Sequence, residues 1–148
     1  MHVFISPCPF DIIYEDKKLT TVDSIKFLGF TLDNSLSWKK HIEDIVPKLS
    51  AATFAMRVVQ HFLSLDSLKL IYYSYFHSVL TYRIILWGNT PLSNIIFRIQ
   101  KKIVRIMVGI RNRGSCIEYF KKLKISPLQS QYLLSHLLFV AENIDYLR

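Results

Sequence analysis

The period of the hydrophobic residues changes once along this chain, near residue 33, from strand-like to helix-like. Residues 25–32 form a β-rich apolar run broken only by Lys26 and Gly29, and the turn-forming sequence Asp-Asn-Ser follows it. Beyond this turn, apolar residues recur in alternating steps of four and three, which places them on one side of a helix. They are Trp38, Ile42, Ile45, Leu49, Ala52, Met56, Val59 and Leu63. The sequence therefore predicts a small sheet that leads into a helical body, with Gly29 where the strand backbone closely approaches another group.

Two further strands are predicted before this run. Phe10–Tyr14 and Leu19–Val22 have the composition of strands, and the polar residues 15–18 between them favour a hairpin. We therefore expect short strands over residues 1–33 and helices over residues 34–148. The predicted fold class is mainly α, with a small N-terminal β-hairpin or strand region followed by a bundle of about five helices.

The first two helices are predicted from their starts and their apolar faces. Ser37 is the expected N-cap of a helix that runs to about Gln60, and Pro47 within it should bend or split that helix. The second helix is expected from Leu68 to about Leu86. It has no clean polar face, which is typical of a central helix.

Three more helices follow from capping patterns. Thr90 and Pro91 are expected as the N-cap and first residue of a helix over about 91–108. Ser115–Glu118 and Ser126–Gln129 each match a capping box, so a short helix and a final helix are expected after them.

One stretch has the length and composition of a membrane span. Residues 70–87 are almost wholly apolar or aromatic. Arg83 lies within that stretch, and an arginine in the middle of a span costs about 2.5 kcal/mol or more. We therefore expect a buried core helix here and do not expect a membrane span.

The N-terminus and the cysteines predict an intracellular setting. The first residues lack a basic region and a long apolar region, so no signal peptide is predicted and we expect the cytoplasm or the nucleus, not secretion. Cys8 and Cys116 are isolated and lack metal-ligand spacing, so reduced thiols are expected and a zinc site is not. His41, His61 and His136 likewise lack partners at metal-binding spacing, as does His77.

The excess positive charge lies in one segment. From Arg98 to Lys124 there are nine basic residues and one acid, Glu118, so this segment alone accounts for the net charge of +8. Such a concentration is typical of a chain that binds a polyanion. A solvated face rich in lysine and arginine is the alternative that charge alone leaves open.

Spacing within this segment predicts a nucleic-acid-binding face. Four cations recur at i, i+3, i+4 and i+7 on the third helix, opposite its apolar face. Their mutual repulsion costs a few tenths of a kcal/mol per pair, which bound phosphates would remove. The predicted contact residues on this helix, the next loop and the next helix are Arg98, Lys101, Lys102, Arg105, Arg111, Arg113, Lys121 and Lys122.

Several motifs then occur in a distinctive order. They are Lys26–Asp33, Leu36–Ile42, Tyr72–Ser74, His77–Tyr82, Leu86–Asn89, Gln100–Lys102, Arg105–Ile106 and Ser115–Ile125. This ordered set closely resembles the end of the reverse transcriptase of non-LTR retrotransposons of the jockey and I-element type, and the resemblance covers roughly residues 10–142. Two positions depart from it. Arg83 stands where relatives usually carry glycine, and Ile117 stands where many carry arginine.

The resemblance implies a thumb and its C-terminal extension rather than a complete polymerase. It implies that residues 1–33 form the end of the palm, with Phe27, Leu28 and Gly29 in the primer-side hairpin, and that residues 34–148 form a thumb-like domain. The catalytic palm motif, an aromatic residue followed by Ala-Asp-Asp, does not occur in this sequence. No catalytic residue, metal site or cofactor is therefore expected in this chain, and Mg²⁺ would belong to the missing palm.

Two classes of function remain open at this point. The first is a nucleic-acid-holding fragment of an RNA-directed DNA polymerase, with an RNA/DNA hybrid or single-stranded nucleic acid as partner and no small-molecule substrate. Its exposed strands could also pair with the missing palm or with another copy. The second is an inactive remnant, or a helical structural or protein-interaction module with no nucleic-acid role.

Overall fold

The computed structural model describes residues 13–14, 17–18, 22–110 and 115–144. Over these residues the chain is mainly helical, and short antiparallel strands precede the helices. The predicted fold class is therefore confirmed.

Within the described part of the chain, four short strands form two separate two-stranded sheets. They are β1 Ile13–Tyr14, β2 Lys17–Lys18, β3 Ser24–Phe27 and β4 Phe30–Asp33. In the first sheet Ile13 pairs with Lys18 and Tyr14 pairs with Lys17. The second arm therefore begins within residues 15–18, which were expected to be the turn, so the predicted turn was too long. Residues 10–12 and 19–21, where the rest of the predicted arms falls, lie outside the described residues.

The chain reverses in the middle of the apolar run of residues 25–32, at the residues that the resemblance assigned to a hairpin. Strands β3 and β4 pair antiparallel, and the reversal takes place at Leu28 and Gly29. Both residues have positive φ, 46° and 81°, as a two-residue type I′ turn requires. Gly29 adopts this conformation without strain because it has no Cβ. Leu28 is strained at the same turn.

A carboxylate organises the turn between β4 and the first helix. Asp33 accepts four hydrogen bonds of 2.7–3.1 Å from the backbone N–H and hydroxyl groups of Ser35 and Ser37. Burial raises the pKa of Asp33, but these hydrogen bonds outweigh it and leave the pKa below its ordinary value. Ser37 also accepts a hydrogen bond of 3.3 Å from the backbone N–H of Lys39, so the expected capping residue does contact the start of the helix.

Seven α-helices lie within the described residues. They are α1 Lys39–Val59, α2 Leu65–Ile71, α3 Ser78–Thr81, α4 Ile84–Trp87, α5 Ser93–Met107, α6 Ile117–Leu123 and α7 Leu128–Glu142. A π-helical stretch, Tyr72–His77, joins α2 to α3. Helix α1 is continuous through Pro47, so the predicted split does not occur. Among these described helices, none combines the length and the hydropathy that a bilayer span requires.

The chain divides into two compact units, Met1–His41 and Ile42–Arg148. The predicted boundary after residue 33 precedes α1, whereas this division falls within α1. In the first unit, Phe30 is buried, and its ring lies 6.0 Å from that of Trp38 and 6.3 Å from that of His41. The second unit contains the remaining helices and the basic segment.

The prediction of one continuous second helix is wrong, because the helix is interrupted. It begins at Leu65, where Ser64 caps it by accepting a hydrogen bond from the backbone N–H of Ser67. It ends at Tyr82, because Arg83 has left-handed backbone angles of φ 50° and ψ 32° and α4 starts afresh behind it. The sequence carries no glycine or proline at this break, which is why periodicity alone missed it.

The aromatic residues of this segment do not all lie in the core. Tyr72, Phe76 and Leu80 are buried, whereas Tyr73 and Tyr75 are 41% and 48% exposed. The segment therefore buries one face only, and the expectation of a helix buried all round is wrong.

Contacts of Trp87 and Gly88 fix the position of the short helix α4. The indole Nε1 of buried Trp87 donates a hydrogen bond of 3.1 Å to the carbonyl of Tyr82, which joins the two sides of the break. A Cβ on Gly88 would lie 2.5 Å from Cδ2 of Tyr132 and 2.7 Å from the carbonyl oxygen of Ile84. Helix α4 thus packs on α7 at a distance that only glycine permits.

Gly88→Ala is expected to lower the free energy of unfolding by about 3 kcal/mol, because the added methyl group forces α4 away from α7. Gly109→Ala is the matched control. Gly109 has φ 71° but no atom within 4 Å of a built Cβ, so only backbone strain of about 1 kcal/mol applies. Urea unfolding followed by circular dichroism measures both, and equal losses would contradict the close packing.

Arg83→Gly is expected to raise the free energy of unfolding by about 1 kcal/mol, since glycine adopts the left-handed backbone of this position without the strain that an arginine has there. Arg57→Gly, in the last turn of α1, provides the opposite control. It should lower stability by up to about 1 kcal/mol, as glycine does within a helix. The same sign of change in both variants would argue against strain at Arg83.

The predicted caps of α5 and α7 are wrong, whereas the predicted cap of α6 is present. Helix α5 begins at Ser93, and the Thr90 hydroxyl does not cap it, since Thr90 Oγ1 is buried with no hydrogen-bond partner among the described residues. Ser115 does accept a hydrogen bond of 3.3 Å from the backbone N–H of Ile117 at the start of α6. At the start of α7 the role expected of Ser126 is taken by Gln100, a residue from a distant helix.

Candidate nucleic-acid interface

Helix α5 separates apolar and basic residues onto different faces. Ile96 and Ile103 are fully buried, and Val104 is buried beside them. On the other face Arg98 and Lys102 are exposed, while Lys101 and Arg105 are half-buried. The predicted amphipathic helix is present, and its four cations differ in how far they extend into solvent. The exposure of these cations fits both a face that binds nucleic acid and a face that only contacts water.

A buried amide fixes α5 relative to its neighbours. Gln100 is fully buried, and its Nε2 donates to the hydroxyl of Tyr72 and to the carbonyl of Ser126, each at 3.0 Å. Its Oε1 accepts a hydrogen bond of 2.9 Å from the backbone N–H of Leu128. Burial raises the pKa of the Tyr72 phenol well above its usual value, so that hydroxyl stays protonated. One side chain therefore joins the π-helical stretch, α5 and the first turn of α7.

Helix α6 is held against α5 by an aromatic contact and against the π-helical stretch by a hydrogen bond. The ring of buried Phe120 stacks on that of Phe97, with centroids 6.2 Å apart. Lys124 ends α6 in the left-handed conformation, and its carbonyl accepts a hydrogen bond of 3.0 Å from the hydroxyl of Tyr73. These contacts orient the lysines of α6 relative to those of α5.

A groove of about 920 Å³ lies between α5, α6 and the start of α7. Its apolar surface includes Phe97, Ile117 and Phe120, and serines add hydroxyl groups. Its cations are Lys101, Arg105, Lys121 and Lys124. We refer to these four residues and the space that they line as the basic groove. Among the described residues that line it, none is an aspartate or a glutamate.

The ammonium groups along this surface are largely uncompensated. Lys101 Nζ lies 4.8 Å from the centroid of the Phe97 ring, a cation–π contact that orients this ammonium group without neutralising it. Within the described part of the chain, no ion pair to a carboxylate occurs at Arg98, Lys101, Lys102, Lys121, Lys122 or Lys124. The surface therefore keeps its positive charge.

The predicted contact residues fall into three groups. Lys101, Arg105 and Lys121 line the basic groove. The side chains of Arg98, Lys102 and Lys122 are exposed but do not line it. Arg111 and Arg113 lie outside the described residues.

Sequence reasoning left Lys124 and the apolar lining of the groove, such as Phe97, out of the predicted site. Lys124 belongs to the same charged segment and lines the groove from the residue after α6, where the backbone is left-handed. Phe97 precedes Lys101 by one helical turn, a spacing that indicates contact between two side chains on a helix. That spacing could have identified Phe97.

The residues assigned to a primer-side hairpin lie in the other unit. Phe27 and Leu28 are 54% and 58% exposed at the β3–β4 turn, next to Gly29. The ring of Phe27 contacts that of Phe30 edge to face, with centroids 6.0 Å apart. The tip of this hairpin therefore presents apolar side chains to solvent.

Three of the described histidines, His41, His77 and His136, have aromatic neighbours. His77 contacts the rings of Tyr72 and Tyr73, and burial lowers the pKa of His77. His136 lies 4.3 Å from the Tyr132 ring. Across the described ranges, no group of three or more histidine, cysteine, aspartate or glutamate residues is arranged to hold a metal ion.

Comparison with known proteins adds no further constraint on the basic groove. No protein-family model matches this chain, and no curated protein or solved structure is significantly similar to it.

Proposed function

We propose that this chain is a thumb-like module of a retrotransposon RNA-directed DNA polymerase, which holds nucleic acid by its phosphate backbone and carries no catalytic residues of its own. The observation that supports this proposal best is the basic groove, in which four cations from two helices face one space with no acid among the described lining residues. The ordered motifs that resemble the end of such polymerases support the more specific assignment.

Phosphates are the natural ligands of this surface. Lysine ammonium and arginine guanidinium groups bind phosphate oxygens through charge-assisted hydrogen bonds, and the binding releases counterions from the nucleic acid. With the exposed cations beside it, the basic groove would contact about six phosphates. Contacts of this kind position a strand and carry little sequence information.

The parts of the groove suit different parts of a nucleotide. Lys101, Lys121 and Lys124 would bind the backbone, while Phe97 and Ile117 offer apolar surface to a sugar or an unpaired base. An RNA/DNA hybrid or a single strand is the expected partner. Catalysis, and the Mg²⁺ that it requires, would belong to a palm outside this chain.

Fluorescence anisotropy tests the proposal with labelled oligonucleotides of about 12 nucleotides at about 50 mM salt. Single-stranded RNA, single-stranded DNA and an RNA/DNA hybrid of unrelated sequences should all bind, with affinities that differ little between sequences. A folded protein that binds none of them at this salt concentration would refute the nucleic-acid role.

A protein-interaction module or an inactive remnant is the second candidate. The observation that favours it is the presence of two separate two-stranded sheets, whose outer edges have no strand partner among the described strands. In the thumb proposal these edges would pair with the palm. Size-exclusion chromatography separates the two candidates, because self-association through the strands without nucleic-acid binding would favour the remnant.

A further inference from the structure

Helix α7 leaves an apolar stripe uncovered. Of its residues only Leu128 is buried. Leu133, Leu137 and Val140 are 60%, 68% and 47% exposed, and Ile144 just beyond the helix is 49% exposed. These residues follow one another in steps of four, three and four, which is the spacing of the contact positions in a coiled coil. We call these four residues the α7 stripe.

The stripe lies on an almost uncharged helix. Between Leu128 and Glu142 the only Asp, Glu, Lys or Arg residue is Glu142, in a chain with 19 basic and 11 acidic residues. Leu134 and Leu138 widen the stripe, with 44% and 51% of their surfaces exposed. A helix that faced water on this side would carry polar residues there.

The amphipathic character needed for a membrane surface is missing. Helices that lie on membranes carry lysine or arginine on the face opposite their apolar stripe. Helix α7 has neither residue over its whole length. The stripe therefore fits another helix better than it fits a lipid surface.

We propose that the α7 stripe pairs with the same stripe of a second copy of this chain, in an antiparallel arrangement about a two-fold axis. An axis between Leu137 and Val140 places Leu137 of one copy against Val140 of the other, and Leu133 against Ile144. Each of these contacts joins one apolar side chain to another.

The exposed area is sufficient for such a dimer. The stripe and its two flanking leucines expose about 600 Å² per copy, so pairing would bury at most roughly 1,200 Å², the lower end of the range for specific interfaces. This pairing goes beyond the proposed function and does not depend on it.

Added salt should strengthen dimerisation and weaken nucleic-acid binding. Each copy carries a net charge of +8, so two copies repel each other and added salt screens that repulsion. Dimerisation should therefore strengthen as salt rises, whereas binding to nucleic acid weakens. Weakening of the dimer by salt would contradict an apolar interface between cationic copies.

Sedimentation equilibrium over about 1–100 μM tests the pairing. We expect the wild-type chain to dimerise, and Leu137→Glu to weaken the dimer about tenfold or more by placing a charge in the interface. Leu70→Glu is the matched control, because Leu70 is 69% exposed on α2, close to the 68% of Leu137. It should leave the dissociation constant unchanged within about threefold. Circular dichroism verifies that both variants stay folded.

Mixing two variants tests the antiparallel register. Leu137→Glu copies mixed with Val140→Lys copies should regain dimers, because one facing pair becomes Glu with Lys while the other remains Leu with Val. Neither variant alone should dimerise as well as the mixture. A monomeric wild type at 100 μM, equal weakening by both glutamate substitutions, no weakening by Leu137→Glu, or no gain on mixing would each overturn the proposal.

Discussion

Gln100→Leu is expected to lower the free energy of unfolding by about 3 kcal/mol or more. Leucine fills a similar volume, but it removes the partner of the Tyr72 hydroxyl, of the Leu128 N–H and of the Ser126 carbonyl. Each buried polar group that loses its partner costs about 1–3 kcal/mol. Since domains of this kind are stable by only about 5–15 kcal/mol, the variant loses a large share of its stability.

Urea unfolding followed by circular dichroism measures this loss, and two further variants assign its cause. Adding Tyr72→Phe to Gln100→Leu should recover part of the loss, because it removes the hydroxyl that the first change left unpaired. Gln129→Leu, at an exposed position of α7, should change stability by no more than about 0.5 kcal/mol. A loss below 1 kcal/mol in Gln100→Leu would mean that the buried amide does not hold the three segments together.

Removing the cations of the basic groove should weaken nucleic-acid binding about 100-fold or more at moderate salt, because several phosphate contacts are lost together. The groove variant replaces Lys101, Arg105, Lys121 and Lys124 with alanine. Its urea midpoint should be checked, since Lys101 also contacts the Phe97 ring. Affinity is measured with the same single-stranded and hybrid oligonucleotides as for the wild-type chain.

A control variant with the same change in net charge shows whether affinity depends on the positions of the cations or only on the total charge. It replaces three lysines and one arginine outside the basic segment, Lys39, Lys48, Arg57 and Lys69, with alanine. Its affinity should fall by less than about tenfold, since only long-range attraction is reduced. Similar losses in the groove variant and in this control would show that net charge alone drives binding.

The helices could be predicted from the sequence, but its residue pattern alone does not show the points at which the strand run and the second helix are interrupted. The regular stripe from Ile42 to Met56 predicts α1, because burial of one face repeats with the helical period. The apolar pattern alone does not reveal the reversal at Leu28 and Gly29, since a continuous apolar run hides a two-residue turn. A hairpin at these residues was expected only from the resemblance. The break at Arg83 has no turn-forming residue at all.

Three of the four cations that line the basic groove were among the residues chosen from the sequence, whereas Lys124 and the apolar lining were not. Charge counting identified the segment from Arg98 to Lys124, because an excess of cations is visible in sequence alone. Which cations share a groove depends on the direction of α6 relative to α5, and that direction is set by long-range contacts. The hydrogen bonds of Gln100 could not be predicted from the sequence either, since its partners are 26 or more positions away along the chain.

The dependence of nucleic-acid affinity on salt tests the central claim most directly. If about six phosphates are neutralised, the logarithm of the association constant should fall against the logarithm of salt concentration with a slope near five. The slope should drop to about two in the groove variant and stay near five in the charge-matched control. A wild-type slope near zero, or a slope that the groove variant leaves unchanged, would contradict a phosphate-binding role for the basic groove.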